Sequence, residues 1–196
     1  MRIILLLLVC LNIISNANAQ IKSSDREIDG KKIRFSTIQQ VGVIGNGEEV
    51  HPAFQVVFGA QYKRYFLGVG AAIDPYFANS FPLFLDGRFT FYEKRFSAYV
   101  YGDLGINKML HSNARFPREW SNGQPAFKLH TGLYHDYGIG MKTKLAGNLY
   151  YNFSIGMSFK ETKYSYTNYT WPSQQPYDEL YRNVASRFAI RMGLQF

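Results

Sequence analysis

The chain has 196 residues, of which 17% are aromatic, with one cysteine and a formal net charge of +8. This length fits a single domain, and one cysteine cannot form a disulfide within the chain. An excess of basic residues can indicate a nucleic-acid partner. Here the basic residues are scattered along the chain rather than clustered, so we expect no such partner.

The first 19 residues are predicted to be a secretory signal peptide. Arg2 precedes the apolar run IILLLLVCLNII, and the segment ANA at 17–19 fits a cleavage site. The run is shorter than the ~20 residues that a membrane-spanning helix needs. We expect cleavage between Ala19 and Gln20, which also removes Cys10 from the mature protein. The polar residues 20–32 (QIKSSDREIDGKK) are predicted to be a flexible N-terminal segment.

Eight stretches after residue 32 show apolar and polar residues in alternation, the pattern of β-strands with one apolar face. They are 33–44, 53–63, 65–74, 81–92, 96–108, 130–144, 148–163 and 183–196. Each is close to or longer than the ~9–11 residues of a tilted membrane strand. No stretch after residue 19 is apolar enough for a membrane helix, so a membrane-spanning form requires a closed barrel.

Short and long connections alternate between these strands. The short ones lie at 63–64, 93–95 and 145–147, and the long ones at 45–52, 75–80, 109–129 and 162–182. Membrane barrels have short periplasmic turns and longer external loops. The sequence therefore predicts an all-β fold, an eight-stranded antiparallel up-and-down transmembrane β-barrel over residues 33–196. We expect a monomer in the outer membrane of a Gram-negative bacterium, with both termini on the periplasmic side.

The last predicted strand has one strongly apolar face that ends at the final residue. Ile190, Met192, Leu194 and Phe196 share this face with Phe188, and two arginines occupy the other. The tail resembles the C-terminal recognition signal of bacterial outer-membrane barrels, whose last residue is usually Phe. We therefore expect the barrel-assembly machinery to be a partner during insertion.

The polar faces of the strands carry charges of both signs. These are Asp86, Arg88, Asp103, Asp136, Lys142, Arg187 and Arg191. An eight-stranded barrel is just wide enough to be filled by side chains, and buried charges must be paired. We expect an interior network in which Arg88, Arg187 and Arg191 face Asp86, Asp103 and Asp136. A packed structural interior is favoured over the alternative, a polar pathway.

Residues with the spacing of a metal, cofactor or catalytic site are scarce. His130 and His135 are five residues apart on one strand and so point to opposite faces. No set of His and Cys has the usual ligand spacing, and we expect no metal and no cofactor. His111 and Ser112 form the one close base–nucleophile pair, without a placed acid. We expect no enzyme, with a lipid-modifying enzyme as an alternative.

The two longest connections are the predicted interaction surface, because binding residues concentrate on loops. The candidate anchors are Arg118 and Trp120 in 109–129, and Tyr169 and Trp171 in 162–182. They would contact another envelope protein or a host surface. Alternatively, they rest on the barrel rim or touch lipopolysaccharide, which together with outer-membrane lipid would surround the barrel.

The segments DPYF (74–77), PLFLDGR (82–88) and YGDLG (101–105), with the terminal strand, resemble the small outer-membrane β-barrel family common in Bacteroidota. This porin-family-like domain is similar in architecture to OmpA/OmpX-type barrels. The resemblance covers about 33–196 and implies outer-membrane location and assembly, but no activity. We expect a structural or surface-interaction role, in envelope integrity or adhesion. The alternatives are an accessory of a secretion or transport system, the lipid-modifying enzyme, and a soluble lipocalin-like periplasmic barrel whose apolar face lines a ligand cavity.

Overall fold

A computed structural model describes the chain over residues 26–28, 31–74, 80–91, 95–109, 127–170 and 175–196. Side chains are described over 33–74, 80–91, 95–108, 130–165 and 178–196. The predicted signal peptide with its Ala19–Gln20 bond lies outside these ranges, as do Arg118, Trp120 and Trp171. Within the described ranges, no helix is long and apolar enough to cross a bilayer.

Eight of the ten strands in the described residues form the wall of a closed barrel. The strands are β1 Arg26–Ile28, β2 Lys31–Gly45, β3 Val50–Tyr62, β4 Tyr65–Ile73, β5 Ser80–Thr90, β6 Phe96–Met109, β7 Phe127–His130, β8 Gly132–Ala146, β9 Leu149–Thr170 and β10 Gln175–Gln195. The wall runs β2-β10-β9-β8-β6-β5-β4-β3 and closes where β3 pairs with β2. Every pair is antiparallel. The predicted eight-stranded barrel is confirmed.

Alternation along each strand turns apolar residues outward and polar residues inward. On β5, Leu83 and Leu85 are exposed while Asp86 and Arg88 are buried. The exposed apolar belt includes Val41, Val43, Leu67, Val69, Leu83, Leu85, Leu104, Ile106, Leu133, Ile139, Met141, Phe188, Met192 and Leu194. An apolar band outside and polar groups inside is the arrangement of a transmembrane barrel. A soluble ligand-binding barrel needs the opposite orientation, so that alternative does not fit this fold.

The first and last strands of the wall, β2 and β10, pair along one seam. Residues 188–195 pair with residues 45–38, and Phe196 exchanges two backbone hydrogen bonds with Thr37, of 2.7 and 3.0 Å. Met192 and Leu194, in the predicted insertion signal, point outward into the belt. Gln40 on β2 points inward and is fully buried. The last strand therefore seals the wall with its apolar face on the lipid side.

The short turns lie at one end of the barrel, which we call the short-turn end. Lys63 and Arg64 join β3 to β4, and Gly147 with Asn148 joins β8 to β9. Gly147 has a positive φ of 51°, which glycine adopts at little cost. Lys63 adopts φ 52°, which costs an ordinary L-residue roughly 1–2 kcal/mol. Tight turns thus hold these neighbouring strands in register at this end.

The second half of the chain differs from the prediction at 162–182. The predicted loop over these residues is wrong, because β9 continues to Thr170 and pairs with β10 in one unbroken register from Gln175 onward. Tyr169 accordingly lies in β9, opposite Pro176. Alternation marks a strand that has lipid on one side and protein on the other. The stretch 162–182 is rich in strand-forming Tyr and Thr but has no sustained alternation of apolar and polar residues, so the sequence pattern does not reveal the strands.

Two short strands lie outside the ring of eight. β1 pairs with β2 within the segment that was predicted to be flexible, and β2 itself begins at Lys31 rather than at residue 33. β7 pairs with β9 through residues 127–130 and 163–166. β7 and the extended β9–β10 hairpin therefore form a small sheet above the long-connection end of the barrel.

Candidate functional site

The barrel interior holds the charged residues that the sequence places there. Asp86, Arg88, Asp103, Asp136, Lys142, Arg187 and Arg191 are each at most 9% exposed. Large side chains, among them Tyr99, Tyr134 and Lys160, are fully buried beside them. The interior is therefore built from packed polar and aromatic groups, and its contacts decide what it can do.

Arg88 forms a buried ion pair with Asp86 on the same strand. Nε of Arg88 donates to both carboxyl oxygens, at 2.9 and 3.1 Å, and Nη2 donates to Oδ2 at 2.8 Å. Nη2 also donates to Oε1 of Gln40 at 3.1 Å, which accepts a second bond from Gln55. The guanidinium lies 5.5 Å from the ring centre of Tyr99. The pair thus ties β5 to β2, three strands away around the wall.

Arg191 and Asp136 form the second cluster and join β10 to β8. Nη1 of Arg191 donates to the Tyr101 hydroxyl at 3.1 Å, and that hydroxyl donates to Oδ1 of Asp136 at 2.9 Å. The hydroxyl of Tyr134 donates to Oδ2 at 3.3 Å. Asp136 therefore accepts from three side chains on three strands, the full satisfaction that a buried carboxylate needs.

A third cluster was not predicted from the sequence. Lys160 on β9 pairs with Asp74, which follows β4, and its Nζ donates to Oγ of Ser80 at 3.1 Å. Ser80 in turn donates to Asp74 at 3.3 Å. Asp74 precedes Pro75 and so resembles a turn residue, which concealed its role. The signal that could have found the cluster is the position of Lys160 on the polar face of its strand.

Asp103 differs from the other two interior aspartates in its contacts. Asp86, Asp103 and Asp136 are direct register partners on β5, β6 and β8, so three carboxylates lie side by side. Neither carboxyl oxygen of Asp103 has a hydrogen-bond partner in the described part of the chain. Arg88 and Arg191 flank the row, and their two positive charges offset part of the charge of the three carboxylates.

Arg187 and Lys142 lie toward the two ends of the interior. Arg187, predicted to face the aspartates, lies opposite Ser158, and its Nη2 is 3.9 Å from Glu49 in the β2–β3 connection. Lys142 lies at the short-turn end, with Nζ 5.6 Å from the ring centre of Tyr150. The alternation of residues along a strand therefore indicates which residues face inward. It does not indicate how far along the barrel axis they lie or which partners they contact.

Glycines beneath the interior tyrosines are needed for close packing. A Cβ built on Gly156 would lie 2.3 Å from Oη of Tyr101 and 2.4 Å from the carbonyl oxygen of Tyr137. We expect Gly156→Ala to displace the Tyr101 hydroxyl from Asp136 and to lower the free energy of unfolding by about 1–3 kcal/mol. Urea unfolding in detergent measures the change. The matched control is Gly102→Ala on the outer face, where nothing lies within 4 Å; equal losses in both variants would contradict this packing.

The sheet above the barrel is the second feature with functional potential, and we call it the projecting sheet. It comprises β7, residues 161–170 of β9 and residues 175–184 of β10. Ten residues of strand correspond to about 30 Å beyond the barrel wall. The rings of Tyr164 and Tyr181 stack at 5.4 Å. Leu180 and Val184 are exposed, at 62% and 54%.

Charged groups mark the level at which the projecting sheet leaves the belt. Glu161 pairs with Arg182, and its Oε2 lies 3.0 Å from Nζ of Lys163 and accepts the backbone N–H of Leu133 at 3.0 Å. A charge on the lipid face near the bilayer midplane costs about 2–4 kcal/mol, falling toward the interfaces. Together with the outward Phe159 just below it, Glu161 therefore indicates the upper edge of the apolar belt.

Within the described part of the chain, one edge of the projecting sheet has no neighbouring strand and is called the open edge. Among the described strands, β9 alone pairs with residues 175–187 of β10, because β2 ends opposite Phe188. Phe196 directs its N–H and C=O toward β2. Since β10 has no register shift, the N–H and C=O groups of all its even-numbered residues point to that same side of the strand. The N–H and C=O groups of Leu180, Arg182 and Val184 therefore point to the open edge.

The described residues offer no arrangement for a metal, with no group of three or more His, Cys, Asp or Glu placed to hold one. His111 and Ser112 lie outside the described ranges. His135 lies on the outer face, stacked at 4.7 Å on Phe159. Its place on the lipid side gives it a packing role.

No family model matches this chain, and no curated protein matches it. The solved structures that resemble it include a designed protein and a bacterial one. One comes from the de novo design of transmembrane β-barrels, with 16% identity, a TM-score of 0.43 and coverage of 82% of this chain and 93% of the other. The second is the outer membrane protein OprG from Pseudomonas aeruginosa, with 15% identity, a TM-score of 0.39 and coverage of 83% and 91%. The fold assignment rests on the strand pairing described above.

Proposed function

We propose that the protein is a monomeric outer-membrane barrel whose interior is structural and whose projecting sheet binds a partner at the cell surface. The observation that carries this proposal is the open edge of β10, which is held far beyond the belt. Its role would be in adhesion or in contact with another envelope component.

The outer membrane is proposed because of the apolar belt, the predicted signal peptide and the terminal Phe196. Membership of the Bacteroidota barrel family and insertion by the barrel-assembly machinery are part of the same proposal. Lipopolysaccharide and lipid would contact the belt. The ion pairs of Arg88, Arg191 and Lys160 across the interior support a filled barrel rather than an open pore. We propose no catalytic role.

An open strand edge is a template for strand addition, since its backbone groups are unpaired and point away from the sheet. Proteins usually protect such an edge with charges, and β10 has Asp178, Glu179 and Arg182 there. These charges discourage indiscriminate pairing, while the exposed Leu180 and Val184 offer apolar contacts between them. The edge therefore favours a specific partner strand, bound through the outward backbone groups and through Leu180 and Val184, over nonspecific aggregation.

Proline substitution tests the edge without removing the hairpin. The N–H of Leu180 points away from β9, so Leu180→Pro and Val184→Pro remove outward donors and leave the β9–β10 bonds intact. We expect a photo-crosslinking residue at position 178 to yield a discrete adduct in whole cells, and both proline variants to abolish it. Leu180→Thr and Val184→Thr, which keep the N–H groups, are the matched controls and should retain the adduct.

Two results would contradict binding through the edge of β10. An adduct that persists unchanged in the proline variants would mean that the edge is not the contact. No adduct in the parent protein, in cells whose outer membrane contains the folded barrel, would remove the surface-interaction role. Gel mobility of boiled and unboiled samples establishes folding in every variant.

A further inference from the structure

A cavity of about 520 Å³ lies inside the barrel at the short-turn end, and we call it the vestibule. Its lining comes from β2, β3, β6, β8 and β9 and from the turns between them: Arg34, Gln61, Arg95, Ser97, Lys142, Lys144, Leu145, Ala146 and Tyr150. Its volume falls within the range of about 300–1,000 Å³ that is typical of small-molecule sites.

The charge of the vestibule is of one sign. Arg34, Arg95, Lys142 and Lys144 line it, and no Asp or Glu of the described residues does. Four like charges around one cavity repel each other, and the repulsion grows where water is restricted. The lining described for the vestibule is therefore strongly basic.

The positions of these cations on their strands show that they belong to the cavity rather than to the lipid surface. Arg34 on β2 shares the inward parity of the fully buried Ile38 and Gln40. Lys142 and Lys144 share the inward parity of Asp136, and Lys142 is 9% exposed. Basic residues that only served anionic lipid around the barrel would point outward. Here they converge from β2 on one side and β8 on the other.

We propose that the vestibule binds a phosphate group. The guanidinium forks of Arg34 and Arg95 and the ammonium group of Lys144 match the charge and the several acceptor oxygens of a phosphate. Ser97 and Gln61 add neutral polar groups, while Leu145, Ala146 and Tyr150 provide apolar wall for a small organic substituent. The same chemistry is offered by a soluble phosphate ester and by a phospholipid headgroup.

Titration with glycerol 3-phosphate, followed by calorimetry on the purified barrel in zwitterionic detergent, tests the proposal. We expect saturable one-site binding that Arg34→Gln/Lys144→Gln weakens by about tenfold or more. The matched control is Arg64→Gln/Lys108→Gln, which removes two positive charges that do not line the vestibule. The control should change the affinity by less than about twofold, because neither side chain lines the cavity and exposed charges are screened.

A second arm identifies the source of the phosphate. The barrel is placed in phosphatidylcholine nanodiscs with and without phosphatidylglycerol, and the glycerol 3-phosphate titration is repeated. Competition by phosphatidylglycerol indicates the lipid headgroup, and unchanged affinity indicates the soluble ester; both support a phosphate site. Absence of binding to the folded parent barrel would overturn the proposal. So would equal weakening in the vestibule and control variants, since that would show nonspecific charge attraction.

Discussion

Replacing Arg191 by Met is expected to destabilise the barrel by about 3–5 kcal/mol, the cost of leaving a buried charge without its partner. Asp136 is fully buried and would keep only the hydroxyls of Tyr101 and Tyr134 as donors. Asp103 lies beside it in register, so the loss of the guanidinium also leaves neighbouring carboxylates less balanced. Urea unfolding of the barrel in detergent, followed by circular dichroism and gel mobility, measures the change.

Arg182→Met is the matched control for this prediction. It makes the same chemical change in an ion pair with Glu161, but two-thirds of the Arg182 side chain is exposed. Glu161 is buried, but after the change it keeps Nζ of Lys163 and the N–H of Leu133, so we expect a loss of about 1 kcal/mol or less. Adding Asp136→Asn to Arg191→Met should recover part of the lost stability, because the unpaired charge is then gone. A loss in Arg191→Met no larger than in the control would show that the interior pair is not desolvated.

An arginine in place of Ile139 is expected to cost about 2–4 kcal/mol and to reduce the amount of folded barrel in the membrane fraction. Ile139 lies on the outer face in a lateral row with Val100, Ile155, Ile190 and Val43. This row runs through the middle of the apolar belt, where a charged side chain meets hydrocarbon. The boiled-against-unboiled gel shift of the outer-membrane fraction measures the folded amount.

Leu180→Arg is the matched control for Ile139→Arg, because Leu180 is exposed but lies outside the apolar belt. Leu180 is as exposed as Ile139, at 62% against 57%, but it lies on the projecting sheet. Exposed substitutions in water change stability by about 0.5 kcal/mol or less. If Ile139→Arg and Leu180→Arg were tolerated equally well, the belt would be facing water and the membrane orientation would be wrong.

The wall of the barrel could be predicted from the sequence because lipid and protein impose opposite demands on successive residues. On β5 the alternation of Leu83, Leu85 and Phe89 with Asp86 and Arg88 fixes the strand and its faces together. The prediction fails at 162–182, where the same physics is absent. Tyr164 and Tyr181 stack within a strand pair whose sequence lacks a sustained alternation of apolar and polar residues, so the pattern does not distinguish that pair from a loop.

The interior could be predicted only at the level of single residues. Parity placed Arg88, Asp103, Asp136 and Arg191 inside the barrel. The partners depend on strand tilt and register, which move contacts up or down the wall. Thus Arg191 reaches Asp136 two strands away, while Arg187, four residues earlier, lies near Glu49 at the barrel end. The vestibule was missed for the same reason, since Arg34, Arg95 and Lys144 are far apart in sequence and meet only when the ring closes.

The interior clusters have a consequence for how related chains can diverge. A belt residue such as Ile139 touches fluid lipid, which adapts to its shape, so other apolar residues can replace it one at a time. Asp136 is held by Arg191, Tyr101 and Tyr134, and a change at any one of them leaves a buried group unsatisfied. Substitutions in the interior therefore have to occur as compensated sets. Among descendants of one ancestral barrel, the outside is free to drift while the inside is inherited as a unit.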